Sequence, residues 1–164
     1  MLCISFIYRS IKPLVQYSDL LVHESTFGPI LSDLNHDYLH IDITKWKEIQ
    51  QEVLQDPKNN SIWQNLKWRA RAYGHSNIEM AGTFAQEIHA KHLIFTHIGG
   101  RYDAKSPKAI EAIKVMFEEQ AKEYFDGEVV VAYDGFQYHL SCCVCFNECF
   151  IKEMIVWWSL NRIE

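Results

Sequence analysis

The sequence predicts an α/β fold, in which helices cover a parallel β-sheet. Short apolar runs typical of buried strands alternate with longer segments of helical periodicity, in the order strand–helix–strand–helix–strand. Consecutive parallel strands need crossovers between them, so this alternation favours a parallel sheet covered by helices. The 164 residues are 48% hydrophobic and 23% charged, which is ordinary for a globular domain that buries a core.

The net charge and the hydropathy pattern narrow the class of protein. The net charge of −5 means that any contact with nucleic acid must come from a local basic patch. No run reaches about 18 uncharged apolar residues, so the sequence predicts no membrane span. The opening stretch MLCISFIYRS lacks a basic start and a small-residue cleavage site, so it is not interpreted as a secretory signal. We expect a cytoplasmic or nuclear protein, without excluding mitochondria.

Four of the five cysteines lie in the stretch SCCVCFNEC near the end of the chain. An odd number of cysteines without a secretion signal indicates reduced thiols. The cluster has two interpretations: a zinc site, because thiolates bind zinc, or the apolar packing of small side chains. A pair of CxxC motifs is absent, which favours packing.

The first elements follow from periodicity and turn signals. SDLLVHES, at residues 18–25, predicts a buried strand. ITKWKEIQQEVLQ predicts a helix with Trp46, Ile49, Val53 and Leu54 on one face. The stretch DPKNNS that follows predicts a turn.

Two further helices and two strands complete the predicted sheet. HSNIEMAGTFAQEIHA is the next helix, which Ser76 is expected to cap and Glu79 to close in a capping box. HLIFTHI predicts a strand that ends at a pair of glycines, and GEVVVAYDG predicts the third strand. Between them a helix begins at Pro107, a residue suited to the first helical position. The buried faces expected for the two helices are Ile78, Ala81, Phe84, Ala85 and Ile88, and Ile110, Ile113, Met116, Phe117, Ala121 and Tyr124.

Polar side chains follow the predicted strands at their carboxyl ends, where parallel sheets place their sites. They are Glu24 with its neighbour His23, His97 and Asp134. His75 precedes a helix, whose positive amino end disfavours a protonated imidazole. The Glu24 carboxylate would oppose that effect and leave His75 able to pass a proton. The sequence therefore predicts a site above one edge of the sheet.

Each of these residues also has a structural interpretation, which the sequence leaves open. His23 would be a hydrogen-bonded histidine at a strand end, and His75 a residue that starts a helix. Arg101 would be a solvated surface charge, Tyr102 a packing residue, and Asp134 part of an Asp-Gly turn.

Three stretches, in order, resemble motifs of the tRNase Z family of ribonucleases. DLLVHESTF resembles the strand and loop that carry its HEAT motif, GHSNIEMAGTFA its HST loop and helix, and LIFTHIGGRY its closing THFSxRY motif. The resemblance covers residues 13–135 and implies the carboxyl-terminal half of a metallo-β-lactamase αββα sandwich, incomplete in this sequence. The expected division is a partial domain at 1–135, with an insert at 28–71, and a tail at 136–164.

The resemblance implies a role for each matching residue. His97 would bind zinc through an imidazole nitrogen, in a site that holds two zinc ions in the full family. His75, oriented by Glu24, would give a proton to the leaving 3′ oxygen. Arg101 and Tyr102 would hold a phosphate. The implied activity is zinc-dependent removal of the 3′ trailer from precursor tRNA. The resemblance leaves open whether the protein forms a homodimer.

The sequence also departs from the pattern of that family. It has no HxHxDH motif, which supplies most of the zinc ligands, and no aspartate in MLCISFIYRS, where the bridging ligand is expected. HIGGRY lacks the aromatic residue and the serine of HFSxRY, and the tail from SCCVCF onward matches nothing in the family. We therefore expect the carboxyl-terminal portion of a tRNase Z-like hydrolase that holds little zinc and does not cleave RNA alone.

Two other functions remain open. One is a non-catalytic module that binds RNA or protein, because Lys67, Arg69 and Arg71 are interleaved with tryptophans, as in backbone contact combined with base stacking. An amphipathic helix with a solvated charged face gives the same pattern. The other function is a metallo-β-lactamase-fold phosphodiesterase with a different substrate, such as a cyclic nucleotide, for which the altered GGRY leaves room.

Overall fold

The computed structural model describes five stretches of the chain: residues 11–28, 45–98, 107–133, 136–143 and 151–157. The opening stretch at 1–10 and part of the predicted insert, at 29–44, lie outside them. The contacts between residues divide the chain into two compact units, Met1–Val131 and Ala132–Glu164.

The first unit contains a parallel sheet of three strands in the order β1 (Leu20–Glu24), β2 (His92–Thr96) and β3 (Glu128–Val131). The three predicted strands and their parallel pairing are confirmed. The register of β1 and β2 places Glu24 beside Thr96. The carboxyl ends of these two strands therefore lie level with each other at one edge of the sheet.

Two helices, α1 (Trp46–Gln55) and α2 (Pro57–Ala72), follow β1. The predicted helix at α1 is confirmed, but the turn predicted from DPKNNS is wrong, because a helix begins inside it. Asp56 caps α2 by accepting a hydrogen bond from the Lys58 backbone nitrogen at 2.8 Å, and Pro57 occupies the first helical position. Asp and Pro favour helix starts as well as turns, and here the start prevails.

The helix α3 (Ile78–Glu87) starts one residue later than the sequence predicted. Its cap is Asn77, whose side chain accepts a hydrogen bond from the Met80 backbone nitrogen at 2.9 Å. The prediction that Ser76 caps this helix is wrong: its hydroxyl is buried and has no hydrogen-bond partner. The capping box fails with it, because the position three residues after the true cap is a methionine and not Glu79.

The core of the first unit lies between the sheet and the helices α3 and α4 (Pro107–Ala121). Helix α3 contacts β1 and α4, and α4 contacts β3. The rings of Phe95 in β2 and Phe117 in α4 lie 5.8 Å apart. The apolar faces predicted for α3 and α4 are confirmed, with Ile110 and Tyr124 half-buried. The fully buried residues among them are Ile78, Ala81, Phe84, Ala85, Ile88, Ile113, Met116, Phe117 and Ala121.

The second unit contains the antiparallel pair β4 (Gln137–Cys143) and β5 (Ile151–Trp157). Cys142 and Cys143 lie at the end of β4, paired in register with the start of β5. The other two cysteines of the predicted cluster lie outside the described residues. The choice between thiol packing and a zinc site therefore stays open. Among the described residues, no helix is both long enough and apolar enough to span a membrane.

Candidate active site

The loop that follows β1 is tied to two other segments of the first unit. The backbone nitrogen of Ser25 donates to the carbonyl oxygen of Thr96 at 2.9 Å, which continues the pairing with β2. The backbone nitrogen of Phe27 donates to the carbonyl oxygen of Ser76 at 3.3 Å, and Phe27 forms a parallel bridge with Asn77. The loop thus joins the end of β2 to the start of α3.

His75 reaches this loop through a turn at the end of α2. Gly74 has a positive φ of 72°, a conformation that glycine adopts without steric cost. The backbone nitrogen of His75 then donates to the carbonyl oxygen of Ala70 at 2.8 Å. The sequence motif GHSN therefore combines a permissive turn residue with the imidazole that the turn delivers.

Four side chains meet at this point, and we call Glu24, Thr26, His75 and His97 the His–Glu cluster. The Glu24 carboxylate Oε2 lies 3.4 Å from Nδ1 of His75 and 3.4 Å from Nδ1 of His97. The centroids of the two imidazole rings are 5.6 Å apart, with 54° between their planes. The convergence expected from the strand ends is thus observed, whereas the chemical role of each residue stays a prediction.

The carboxylate of the cluster is buried beneath the two imidazoles. The Glu24 side chain is 6% exposed, against 34% for His75 and 46% for His97. Burying a carboxylate costs free energy unless hydrogen bonds replace its water. The Thr26 hydroxyl donates one such bond to Oε2 at 2.6 Å. A solute that approaches the cluster therefore meets two nitrogen bases with a fixed anion behind them.

Thr26 is the member of the cluster that the sequence reasoning missed. Besides its bond to Glu24, its Oγ1 lies 3.1 Å from Nδ1 of His75 and 3.4 Å from Nδ1 of His97. A signal was present, since threonine closes the HEST stretch two residues after the glutamate. Threonine hydroxyls in loops commonly bond to nearby groups, which pointed to Thr26 as a partner of Glu24.

His97 leaves β2 in a left-handed backbone conformation with a φ of 53°. For a residue other than glycine, this conformation costs on the order of 1–3 kcal/mol unless the surroundings hold it. Such strain concentrates at functional sites, where it directs a side chain. His97, which the motif resemblance assigns to metal binding, shares this conformation with Tyr17 and His89.

Known proteins similar to this chain include two curated relatives named Ribonuclease Z. The protein from Haloarcula marismortui is 35% identical over 74 residues, which are 45% of this chain and 21% of the relative. The protein from Ligilactobacillus salivarius is 29% identical over 127 residues, 77% of this chain and 27% of the relative. This chain resembles proteins named Ribonuclease Z. The family resemblance inferred from the three motifs is confirmed, and the chain spans 21% and 27% of the length of these relatives.

The comparison with solved structures finds the metallo-beta-lactamase fold protein YhfI from Bacillus subtilis. It is 22% identical, with a TM-score of 0.42, and the match covers 78% of this chain and 33% of that protein. No family model matches the chain. The predicted α/β class is confirmed by the parallel sheet and helices of the first unit themselves.

The His–Glu cluster has the donors of a metal site. Glu24, His75 and His97 each offer one ligand atom, and these atoms all lie within 4.8 Å of one another. Imidazole nitrogen and carboxylate oxygen are donors that zinc accepts, and catalytic zinc sites commonly have three protein ligands. The residues present therefore fit a metal ion in the kind and the closeness of their donors.

His23 lies beside this cluster but belongs to the core. Its side chain is buried, its ring centroid is 6.1 Å from that of Phe84, and its Nδ1 lies 2.8 Å from the carbonyl oxygen of Glu24. Since a carbonyl oxygen only accepts, Nδ1 of His23 is the donor. Burial lowers the pKa of His23 below its ordinary value. Its geometry is that of a hydrogen-bonded histidine at a strand end.

The predicted basic patch lies along α2. Arg69 and Arg71 are exposed, and the Trp68 side chain is 66% exposed. Lys67 instead pairs with Glu79 of α3, with 2.6 Å between Nζ and Oε2. The ion pair links the two helices and gives Lys67 a structural role that the sequence did not indicate.

The remaining predicted site residues, Arg101, Tyr102 and Asp134, lie outside the described residues. The phosphate contacts expected of Arg101 and Tyr102 therefore stay predictions.

Proposed function

We propose that this chain supplies its His–Glu cluster to the hydrolysis of phosphodiester bonds in RNA, and specifically to removal of the 3′ trailer from precursor tRNA. The observation that carries this proposal is the position of Glu24, 3.4 Å from Nδ1 of both His75 and His97. Similarity to two proteins named Ribonuclease Z supports the choice of RNA as the substrate.

In this proposal His75 is the general acid. It precedes the amino terminus of α3 and is half exposed, and its Nδ1 lies 3.4 Å from the Glu24 carboxylate. The buried carboxylate holds the ring that carries the proton in a fixed orientation. The proton then passes to the 3′ oxygen that leaves phosphorus. A positioned acid of this kind contributes about 10²- to 10⁴-fold in rate.

His97 would hold zinc through an imidazole nitrogen, while Glu24 and Thr26 hydrogen-bond to its ring. A zinc ion, when bound, supplies positive charge against the phosphate and lowers the pKa of a water molecule. The family pairs two zinc ions, and its HxHxDH motif does not occur in these 164 residues. We therefore propose that the chain on its own binds zinc weakly and does not cleave precursor tRNA.

The first experiment measures zinc and activity in the purified 164-residue chain. After dialysis against zinc and then buffer, we expect well under one zinc ion per chain and no trailer cleavage, because most family ligands are absent from the sequence. Zinc close to one or two ions per chain, together with cleavage, would show that the chain holds a complete site and contradict the dependence on HxHxDH.

The second experiment places the cluster in a complete enzyme. The 127 matched residues of this chain replace their counterpart in the Ligilactobacillus salivarius relative. We expect the chimera to remove trailers, and His75→Ala to lower kcat by at least about 100-fold with unchanged zinc content. His89→Ala, at an exposed histidine of the same chain, is the matched control. A folded, zinc-loaded chimera that hydrolyses simple phosphodiesters but not precursor tRNA would favour the alternative of another substrate.

A second candidate function is RNA contact through α2, favoured by the exposure of Trp68 beside Arg69 and Arg71. An exposed indole can stack on a base while the guanidinium groups contact phosphates. Trp63, the other tryptophan of the pattern, is 6% exposed and packs in the interior. The proposed surface therefore consists of three residues, and Lys67 contributes less because Glu79 already pairs with it.

Binding of tRNA over a range of salt concentrations tests this surface. We expect Arg69→Ala with Arg71→Ala to weaken binding and to reduce the slope of log affinity against log salt by about 0.7–0.9 for each phosphate that is no longer neutralised. Lys67→Ala should change the slope less. Lys122→Ala, on a helix end elsewhere, is the control. Equal slopes for the double variant and the unchanged chain would rule out binding of RNA at this surface.

A further inference from the structure

We propose that Thr26 is a positioning residue that fixes the tautomer of both histidines in the cluster. Its hydroxyl keeps a hydrogen on Nδ1 of His75 and on Nδ1 of His97, so that Nε2 of each ring carries the free lone pair. The value of this arrangement for catalysis rests on the proposed function. The tautomers themselves follow from the contacts of the cluster alone.

The Thr26 hydroxyl has a single hydrogen to donate. It donates to Oε2 of Glu24 over 2.6 Å, a length typical of a hydroxyl bound to a charged carboxylate. A hydroxyl has one hydrogen and two acceptor lone pairs. With its hydrogen committed to Glu24, Thr26 can only accept from the two imidazoles.

Nδ1 of each imidazole faces the same two oxygen atoms, Oγ1 of Thr26 and Oε2 of Glu24. Nδ1 of His75 lies 3.1 Å from Oγ1 of Thr26 and 3.4 Å from the Glu24 carboxylate. Nδ1 of His97 lies 3.4 Å from each of the same two oxygens. An ionised carboxylate has no hydrogen to give. Both rings therefore face acceptors at Nδ1, and a neutral imidazole satisfies acceptors only by placing its hydrogen there.

The carboxylate is not the nearest acceptor of His75. Its 3.4 Å separation from both rings exceeds the usual 2.7–3.2 Å of an N–H···O bond. Thr26 lies closer to His75 and is itself polarised by its bond to Glu24, which makes it a stronger acceptor. For His97 the hydroxyl and the carboxylate lie at the same 3.4 Å, so that ring faces two equally distant acceptors, whereas Thr26 is the nearer partner of His75.

The consequence is that Nε2 is the working nitrogen in both histidines. A histidine that binds a metal usually donates its other ring N–H to an acceptor, which orients the ring and fixes the tautomer. Thr26 and Glu24 fill that position for His97. For His75 the same arrangement directs Nε2, and the proton it exchanges, away from the buried carboxylate.

The test is a long-range proton–nitrogen NMR spectrum of the ¹⁵N-labelled chain, at an alkaline pH where imidazoles are neutral. In the unchanged protein we expect the Nδ1–H form for both His75 and His97. Thr26→Val keeps the shape of the side chain but removes the hydroxyl. It should lower the ratio of Nδ1–H to Nε2–H by about tenfold for His75, as expected for the loss of one hydrogen bond, and by less for His97, where the carboxylate is as close as the hydroxyl. Thr26→Ser should restore it.

Thr83→Val, at an exposed threonine of α3, is the matched control and should leave both tautomers unchanged. An Nε2–H form of either ring in the unchanged protein would overturn the proposal, and so would a Val variant with an unaltered tautomer ratio. If Thr26→Val fails to fold, Thr26→Ala takes its place, with the same expected fall in the ratio and the same contradicting result. Neither RNA nor zinc is present, so a failure of the proposed nuclease function is recognised separately, in the chimera.

Discussion

At the scale of single residues, His23 and Glu24 show how adjacent side chains in one strand take different roles. Both are buried, yet His23 packs near Phe84 while Glu24 holds the centre of the cluster. The sequence could place both at a strand end, because the strand pattern is clear. Strand periodicity alone does not separate their roles, because it does not indicate which neighbour packs against each face; the motif resemblance named Glu24 as the partner of His75.

The burial of His23 predicts a pH-dependent stability. Its pKa is lowered in the folded chain by burial, from an ordinary value of 6.5. As pH falls through 6.5 the unfolded chain binds a proton that the folded chain does not, so folding stability present above this pH is lost below it. The loss of one proton's binding sets an upper limit of about 1.4 kcal/mol per pH unit.

Urea unfolding at pH 7.5 and 5.5 measures this loss. His23→Asn keeps a side-chain donor but does not titrate, so its free energy of unfolding should fall less between the two pH values than that of the unchanged chain. The control His89→Asn, at an exposed position, should behave like the unchanged chain. If the free energy of unfolding fell equally in the His23 variant and the unchanged chain, the loss of stability would not be due to His23.

At the scale of elements, the sequence predicted which segments are helices more successfully than where they begin. The apolar faces of α3 and α4 follow from periodicity and are buried as expected. The start of α3 depends instead on the bridge between Phe27 and Asn77, which are far apart in the sequence. Serine and asparagine are both good caps. Local preference alone could not choose between Ser76 and Asn77.

Two single substitutions distinguish the observed cap from the predicted one. Asn77→Ala removes the bond to the Met80 backbone nitrogen and should lower the free energy of unfolding by about 1 kcal/mol. Ser76→Ala removes a buried hydroxyl without a partner and should be neutral or slightly stabilising. Urea denaturation of both variants measures the difference. The reverse ranking would restore Ser76 as the cap.

At the scale of the whole molecule, topology explains how much of the site could be predicted. Glu24 and His97 were expected to meet because parallel strands end at one edge of their sheet, and the register of β1 and β2 brings them there. The bridging role of Thr26 could not be predicted, since it depends on hydroxyl geometry to within a few tenths of an ångström. Composition and periodicity do not carry information of that kind.

The division into two units leads to an expectation for a shortened chain. The core around Phe84, Phe95 and Phe117 lies in the first unit. A chain that ends at Tyr133 should therefore keep its helical circular dichroism and a cooperative urea transition. A chain that ends at Asp126 lacks β3 and should lose both. An unfolded chain 1–133 would show that the first unit depends on the residues that follow.

The pairing of Glu24 with Thr96 makes the length of β1 a requirement distinct from its composition. One residue added or removed between Asp19 and Glu24 would exchange the two faces of the strand, because side chains alternate. The Glu24 side chain would then point away from the imidazoles, although the residues of the HEST stretch would be unchanged. Among natural variants, we expect apolar exchanges within this strand to be common and single-codon insertions or deletions to be rare.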